Sequence, residues 1–462
     1  MPVTTQIAKY FVKPNKFLFV NKKFHEPENF VLKLTGELDP IALLKDKKNI
    51  IPDLQTKAMM GEGSLWAESL LQSQFSEATT QIKLMFGDLP SVKNISCRAK
   101  GAPSIEPRLL RFANEAEDFT LHNMDEVMAA VDDGIGSRII INSLKKLSNS
   151  EITNMINSMT IEGKKLTNRQ KFLLDKFIYE KPIGKQKDYD EAFELFEHFT
   201  NPLVEKRSQE TVNQLLLGIF QQRINTGEIT LKEIEDMKLL NPAMLERLKA
   251  GDHLPIDITE IRNYRGEYGI AEFTKAQIAD LDLALNYGKA PSERVGIISD
   301  LKGIKNKWGD DIIADSKAAD KIRSKAIKAS GYRTAQMKIR HLNGAYGELQ
   351  CRGVYTNMIG EYEHVAYDLR NGKDTCSEIF NEYREAITKL TDQEYDAYNK
   401  YLESCYNYYN RLELGLPAKK PKLPSMFNKV LSEDNMRKLH FEDVEFQKRL
   451  GRNFSRHIEA AA

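Results

Sequence analysis

Three short segments of the chain bring together residue types suited to phosphate chemistry. The first runs Cys97-Arg98-Ala99-Lys100-Gly101-Ala102-Pro103-Ser104-Ile105-Glu106-Pro107-Arg108. A strand ending here presents Arg98 and Lys100 on one face, two residues apart. After the Gly-Ala-Pro turn, Ser104 and Arg108 fall four apart on a helical first turn. Cations and a hydroxyl where a turn enters a helix make a polyphosphate cradle, because the helix N-terminus adds partial positive charge of its own. The same pattern also suits a solvated basic turn.

The second segment, Asp132-Asp133-Gly134-Ile135-Gly136-Ser137-Arg138, leads into Ile139-Ile140-Ile141. Acidic residues at the mouth of a buried strand are placed to hold Mg²⁺ against nucleotide phosphates, and the glycines let backbone come close. An ordinary Asp-Gly turn before a strand reads alike. The third segment is in two pieces, Lys328-Ala-Ser-Gly-Tyr332-Arg-Thr-Ala-Gln336 and Gly347-Glu348-Leu349-Gln350-Cys351-Arg352. On a strand, Glu348, Gln350 and Arg352 share one face. A carboxylate, an amide and a guanidinium on one sheet surface are hard to explain as core packing; a solvated strand face is the plainer alternative. Tyr332, following a glycine, suits either a base-stacking role or a half-buried strand position.

These residues need elements to hold them. A helix is predicted over Ser64–Phe86, with Leu71, Phe75, Ala78, Ile82 and Met85 on one apolar face; Gly87 and Pro90 end it. Strands are predicted at Val92–Ala99, Arg138–Ile141, Thr334–Arg340 and Gly347–Gly353, the last two joined by an Asn343-Gly344 hairpin turn. Between the second and third, Ser148–Asn306 reads as a long helical stretch broken near Pro182, Pro202, Pro242 and Pro255. From about Cys376 the chain reads helical again, with stripes at Ile379, Tyr383, Ala386, Ile387, Leu390 and at Tyr398, Leu402, Cys405, Tyr409, Leu412. Residues 1–60 are Lys- and Phe-rich, with short β-like runs at Lys16–Val20 and Asn29–Leu34. The tyrosines between Tyr395 and Tyr409 read as a packed aromatic face, and the Lys-rich run from Pro417 to Lys422 as a solvated linker.

Composition narrows the function classes. With 462 residues, 41% hydrophobic, the chain can bury a sizeable core in two or three packing units. Lys+Arg (67) and Asp+Glu (66) nearly cancel, so no global field pulls it to nucleic acid or an anionic membrane, and phosphate affinity must be local. No apolar run approaches the roughly 20 residues that span a bilayer, and no secretory signal is visible. The four cysteines are scattered and the eight histidines form neither His-Asp nor HExxH. That pattern argues against zinc or disulfides and fits a cytoplasmic protein, or an effector exported by a dedicated machine.

Together the segments resemble the synthetase domain of the RelA/SpoT family. That family carries, in order, Arg-x-Lys-(3)-Ser-Ile, Asp-(4)-Arg entering a strand, Lys-x-x-Gly-Tyr, and Glu-x-Gln-x-Arg. All four occur here in that order, and Glu361-Tyr-Glu363-His364-Val-Ala-Tyr367 is similar to the family's closing helix. The match spans about 85–143 and 315–375. The resemblance implies an α/β (α+β) fold: a mixed sheet flanked by helices with a nucleotidyltransferase-like core. It divides the chain into an extension (1–60), a split core (61–143 and 315–375), a helical insertion (144–314) and C-terminal helices (376–462). It implies pyrophosphate transfer from ATP to a nucleotide 3′-hydroxyl, with AMP leaving. Arg98 and Arg138 would sandwich adenine; Lys100, Ser104 and Arg108 would hold the triphosphate. Asp133 and Glu348 would bind Mg²⁺, and Glu348 would also orient or deprotonate the acceptor hydroxyl. Lys328, Tyr332, Gln336, Gln350 and Arg352 would serve the acceptor. Two departures stand out. Gln336 replaces the family's usual His, leaving guanosine nucleotides (GTP or GDP) as the default acceptor, with adenosine nucleotides open and a tRNA 3′ end less favoured by the neutral composition. The insertion is far longer than a normal connection, and both partner binding and gating are open for it. Asp252-His253 reverses the hydrolase dipeptide of long family members, so the likeness is to a synthetase alone.

Overall fold

The computed structural model describes residues 54–102, 104–106, 108, 131–264, 270–299, 301, 303–306, 309, 311–312, 330–370 and 381–425. The β-like runs expected before residue 54, and Lys328, lie outside the described residues. In chain order the elements are α1 (Leu54–Phe86), β1 (Val92–Ala99), β2 (Ile135–Ile141), α2 (Asn149–Ser158), a small hairpin of β3 (Thr160–Ile161) and β4 (Lys164–Lys165), and α3 (Asn168–Ile178). Then come α4 (Gln186–Asn225), α5 (Leu231–Met237), α6 (Pro242–Ala250), β5 (Asp257–Tyr264), α7 (Lys275–Asn286), β6 (Gly296–Ser299), β7 (Thr334–Arg340) and β8 (Tyr346–Gly353). Three helices close the series: α8 (Val354–Arg370), α9 (Asn381–Thr388) and α10 (Asp392–Glu413).

Local sequence explains many of these starts. Ser148, Thr167, Thr230, Thr274 and Thr391 each accept a backbone N–H three residues on and are answered by Glu151, Gln170, Glu233, Gln277 and Glu394, the reciprocal box that satisfies orphan donors at a helix start. The hairpin between β7 and β8 turns at Gly344, whose φ of 82° suits a residue without Cβ.

Six strands form one mixed sheet in the order β1-β2-β8-β7-β5-β6. β1 runs antiparallel to β2, β2 parallel to β8, β8 antiparallel to β7, β7 antiparallel to β5, and β5 parallel to edge strand β6. One sheet face is apolar. Ile95, Cys97, Ile139, Ile141, Leu349, Met337, Ile261 and Ile297 pack there against Phe86 of α1, Leu216 and Phe220 of α4 and Ile278 of α7. Two satellite clusters sit apart. One joins α2, α3 and the first half of α4; the other is a tyrosine-rich packing of α8, α9 and α10 around Tyr362, Tyr398 and Tyr406. No helix among the described residues is long and apolar enough to cross a membrane.

The expected strands appear, β1 and β7 with the expected ends, β2 and β8 slightly longer. The reading of 144–314 as helical needs correction. Six helices from α2 to α7 do fill most of it, but β5 and β6 from the same stretch flank α7 and join the main sheet. The reason is visible in β5: the register with β7 shifts between Ile258 and Glu260, so the inward Ile258 and Ile261 stand three apart and mimic a helical spacing. Pro202 also fails to end a helix. It lies inside α4, between buried Phe199 and Leu203, where packing outweighs the lost hydrogen bond.

Candidate functional site

The opposite sheet face carries the chemistry-bearing residues. Register places Arg138, Gln350, Gln336 and Arg262 in one row across β2, β8, β7 and β5. The next row holds Gly136, Glu348, Lys338 and Glu260, with Arg98 of β1 paired to Gly136. Directly paired residues stand about 5 Å apart at Cβ, so each row is a continuous polar strip.

At one end of this face lies a charge cluster. The Lys100 backbone N–H donates to the Gly134 carbonyl at 2.8 Å, tying β1 to the turn that enters β2. The Lys100 ammonium pairs with Asp133. Arg108 donates to Asp133 at 2.5 Å and also to Asp132. Lys338 reaches across from β7 to Asp132. Burial opposes charge on Asp133, but Lys100, Arg108 and Lys338 outweigh it and hold the carboxyl below its ordinary value. Burial draws the Lys100 ammonium below its ordinary value despite Asp133. Ser104 sits half-buried in the helical turn after β1, its N–H donating to the Gly101 carbonyl at 2.9 Å.

Glu348 lies in the middle of the face. Gln350 donates to one of its oxygens and Gln336 to the other, so two amides from adjacent strands fix the carboxylate. Arg98 is exposed, with no ion-pair partner among the described residues. Arg138, diagonal to it, pairs with Glu361 of α8, the helix similar in sequence to the family's closing helix. Arg138 outweighs burial and keeps the Glu361 carboxyl below its usual value.

Tyr332 and Arg352 sit at the far end. The Tyr332 ring packs edge-on against Tyr264 at 5.7 Å and Tyr406 at 6.2 Å. Arg352 lies over that ring at 4.8 Å and donates to the phenol, while itself buried. Burial pushes the Tyr332 phenol up to about 12. Arg352 thus touches Tyr332, and its guanidinium is turned to the tyrosine cluster instead of the open part of the face.

Residues from the first, second and fourth motifs therefore share one sheet face with Gln336, while Tyr332 and Arg352 meet at its margin. Lys338, Asp132, Glu260 and Arg262 are additional polar residues on the face. Lys338 was within reach of sequence reasoning, since it lies two residues beyond Gln336 on a recognised strand. Glu260 and Arg262 were not, because β5 reads as helix.

Among the described residues no three His, Cys, Asp or Glu side chains converge as a metal cage. Magnesium asks for less, taking one or two carboxylates alongside phosphates and water. Asp133 and Glu348 both stand on the polar side of the sheet, Asp133 paired with Lys100 and Arg108 and Glu348 with the Gln336 and Gln350 amides.

No family model matches the chain, and no curated protein or solved structure matches it, so the functional reading rests on the residues of this sheet face.

Proposed function

We propose that the protein is an ATP-dependent pyrophosphokinase that transfers a pyrophosphate group to the 3′-hydroxyl of an acceptor nucleotide. The observation that carries this reading is the convergence, on one polar sheet face, of residues from two distant parts of the chain: Arg98, Lys100 and Arg138 from the first, Gln336, Glu348 and Gln350 from the second.

In this reading the exposed Arg98 and its diagonal neighbour Arg138 hold the adenine between two guanidinium planes. Lys100, Ser104 and Arg108 take the triphosphate. Asp133 and Glu348 would hold Mg²⁺, which would neutralise part of the phosphate charge when bound. The acceptor would lie over β8 and β7, with Gln336 and Gln350 beneath it and Tyr332, braced by Arg352, at its margin. Glu348, fixed by the Gln336 and Gln350 amides, receives the proton of the 3′-hydroxyl. The hydroxyl oxygen then attacks the β-phosphorus in line, the bond to the α-phosphate oxygen breaks, and AMP leaves. Such transfer depends mainly on positioning and charge neutralisation.

The test is direct. Purified protein incubated with ATP, Mg²⁺ and either GTP, GDP, an adenosine nucleotide or tRNA should release AMP and yield a 3′-pyrophosphorylated product with one acceptor class. Absence of AMP release with every acceptor would overturn the reading in favour of a nucleotide-binding module.

A further inference from the structure

We infer that Lys338 and Arg108 form an exchangeable polyphosphate subsite in which Asp132 serves as the resident anion, held until a polyphosphate displaces it. The inference builds on the phosphate-binding role of Lys100 and Arg108 but not on pyrophosphate transfer itself. Lys338 belongs to none of the motifs that carry the family resemblance.

Lys338 makes its close pair with neither of the carboxylates that flank it by register. Its cross-strand partner is Glu348, the nearest carboxylate by register. Both Glu348 oxygens are already taken, one by Gln350 and one by Gln336. Glu260, its neighbour on the other side, lies 3.9 Å from the ammonium and is held by Arg262 at 2.5 Å. Lys338 therefore spans the face to Asp132. There one carboxylate bridges two cations brought from different elements, its Oδ1 to Arg108 and its Oδ2 to Lys338. A phosphate offers the same arrangement of anionic oxygens, with more charge.

Exposure decides which carboxylate can yield. The Asp132 side chain is 27% exposed and Asp133 only 13%. Lys338 and Arg108 are each 26% exposed. The inner pair, Lys100 with Asp133, is the fixed part; the outer one is open to solvent. Ion pairs open to solvent are weak, so a polyphosphate, which carries more charge than one carboxylate, can displace Asp132. The resident aspartate keeps the empty site from presenting bare cations to any passing anion.

The experiment is calorimetric titration of the full chain with inorganic tripolyphosphate in metal-free buffer, with ATP in parallel and a thermal melt for each variant. Asp132→Asn should bind tripolyphosphate about two- to fivefold more tightly, the size of one solvent-open ion pair. Lys338→Met should weaken binding by a similar factor, and Lys338→Arg should restore it. Wild-type binding with Lys338→Met unchanged, or Asp132→Asn weakened, overturns the subsite and leaves the pyrophosphokinase reading standing. The expected shifts without AMP release in the turnover assay support the subsite and count against that reading alone. No binding of tripolyphosphate or ATP by the folded wild type overturns both. Should Lys338→Met melt early, Lys338→Gln takes its place, and unchanged binding in that folded variant again overturns the subsite.

Discussion

Asp133 and Glu348 are both carboxylates on one polar face, yet their surroundings differ in kind. Asp133 is clasped by cations and Glu348 by neutral amides. Glu348→Gln should lower AMP release by about 10²–10⁴-fold, the usual worth of a positioned acid–base group, and Asp133→Asn should lower it by removing a charge that would hold Mg²⁺, while circular dichroism stays native in both. Their stabilities should part, however. Asp133→Asn leaves Lys100 without its counter-charge and Arg108 with Asp132 alone. Glutamine at 348 keeps one acceptor for two amide donors and adds no charge conflict. The pH dependence has a definite sign. The Asp133 carboxyl sits below its ordinary 3.8, so the stability it contributes is present above that value and fades as pH falls through the lower folded value. A melt series from pH 6 to pH 2 should show Asp133→Asn losing less stability than wild type on acidification. At this scale the sequence was most legible where chemistry is local: Arg98, Lys100, Glu348 and Gln350 were readable from period two on strands. The partner set was not. Nothing in the order of residues says that Lys338 passes over Glu348 to reach Asp132, because that choice depends on which oxygens two glutamines have already taken.

Elements meet most tightly at a buried knot. Arg207 of α4 pairs with Glu272 and with Glu413 at the end of α10, all nearly without exposure. Glu413 also accepts from the Thr356 backbone N–H at 2.8 Å, at the start of α8. Gly353, ending β8, lies so close that an added Cβ would stand 1.3 Å from a Glu413 oxygen. Gly353→Ala should therefore cost about 1–3 kcal/mol through overpacking, read as a fall in urea midpoint with an unchanged slope. Burial pushes the Glu413 carboxyl from 4.5 up to about 7, with Glu272 adding to it and Arg207 opposing. The native chain thus holds this proton more tightly than the unfolded one. Its stabilising contribution is complete below about pH 4.5 and is lost as pH rises toward 7. In Glu413→Gln that decline should be shallower, the part from the likewise raised Glu272 remaining, and a slope as steep as wild type would refute the assignment. The Arg333 and Arg352 guanidinium groups act on Glu272 from the β7 and β8 side. Helix α1 and its buried stripe of Leu71, Ala78, Ile82 and Met85 were legible because the period is regular. The knot was not, since a lone Glu at a helix end reads as a solvated charge.

For the whole molecule, the main revision to the sequence reading is that the stretch after β2 is not separable from the sheet. It supplies α4 and α7 to the apolar face and strands β5 and β6 to the sheet itself. Replacing 144–314 by a short linker should therefore remove the cooperative melting transition altogether; a truncated chain that melts as sharply as wild type would contradict this. The same topology has a consequence in time. Strand β2 finds its parallel partner β8 only after the chain between Ile141 and Tyr346 has been made. At about 5–20 residues per second that wait lasts roughly 10–40 s. Throughout it, the β1–β2 hairpin has one edge unpaired and the Arg98 and Asp133 half of the face lacks the Glu348 half. A nascent chain on the ribosome therefore has no assembled polar face until translation is past Gly353, and the unpaired edge of β2 is where a chaperone would find its longest-lived target.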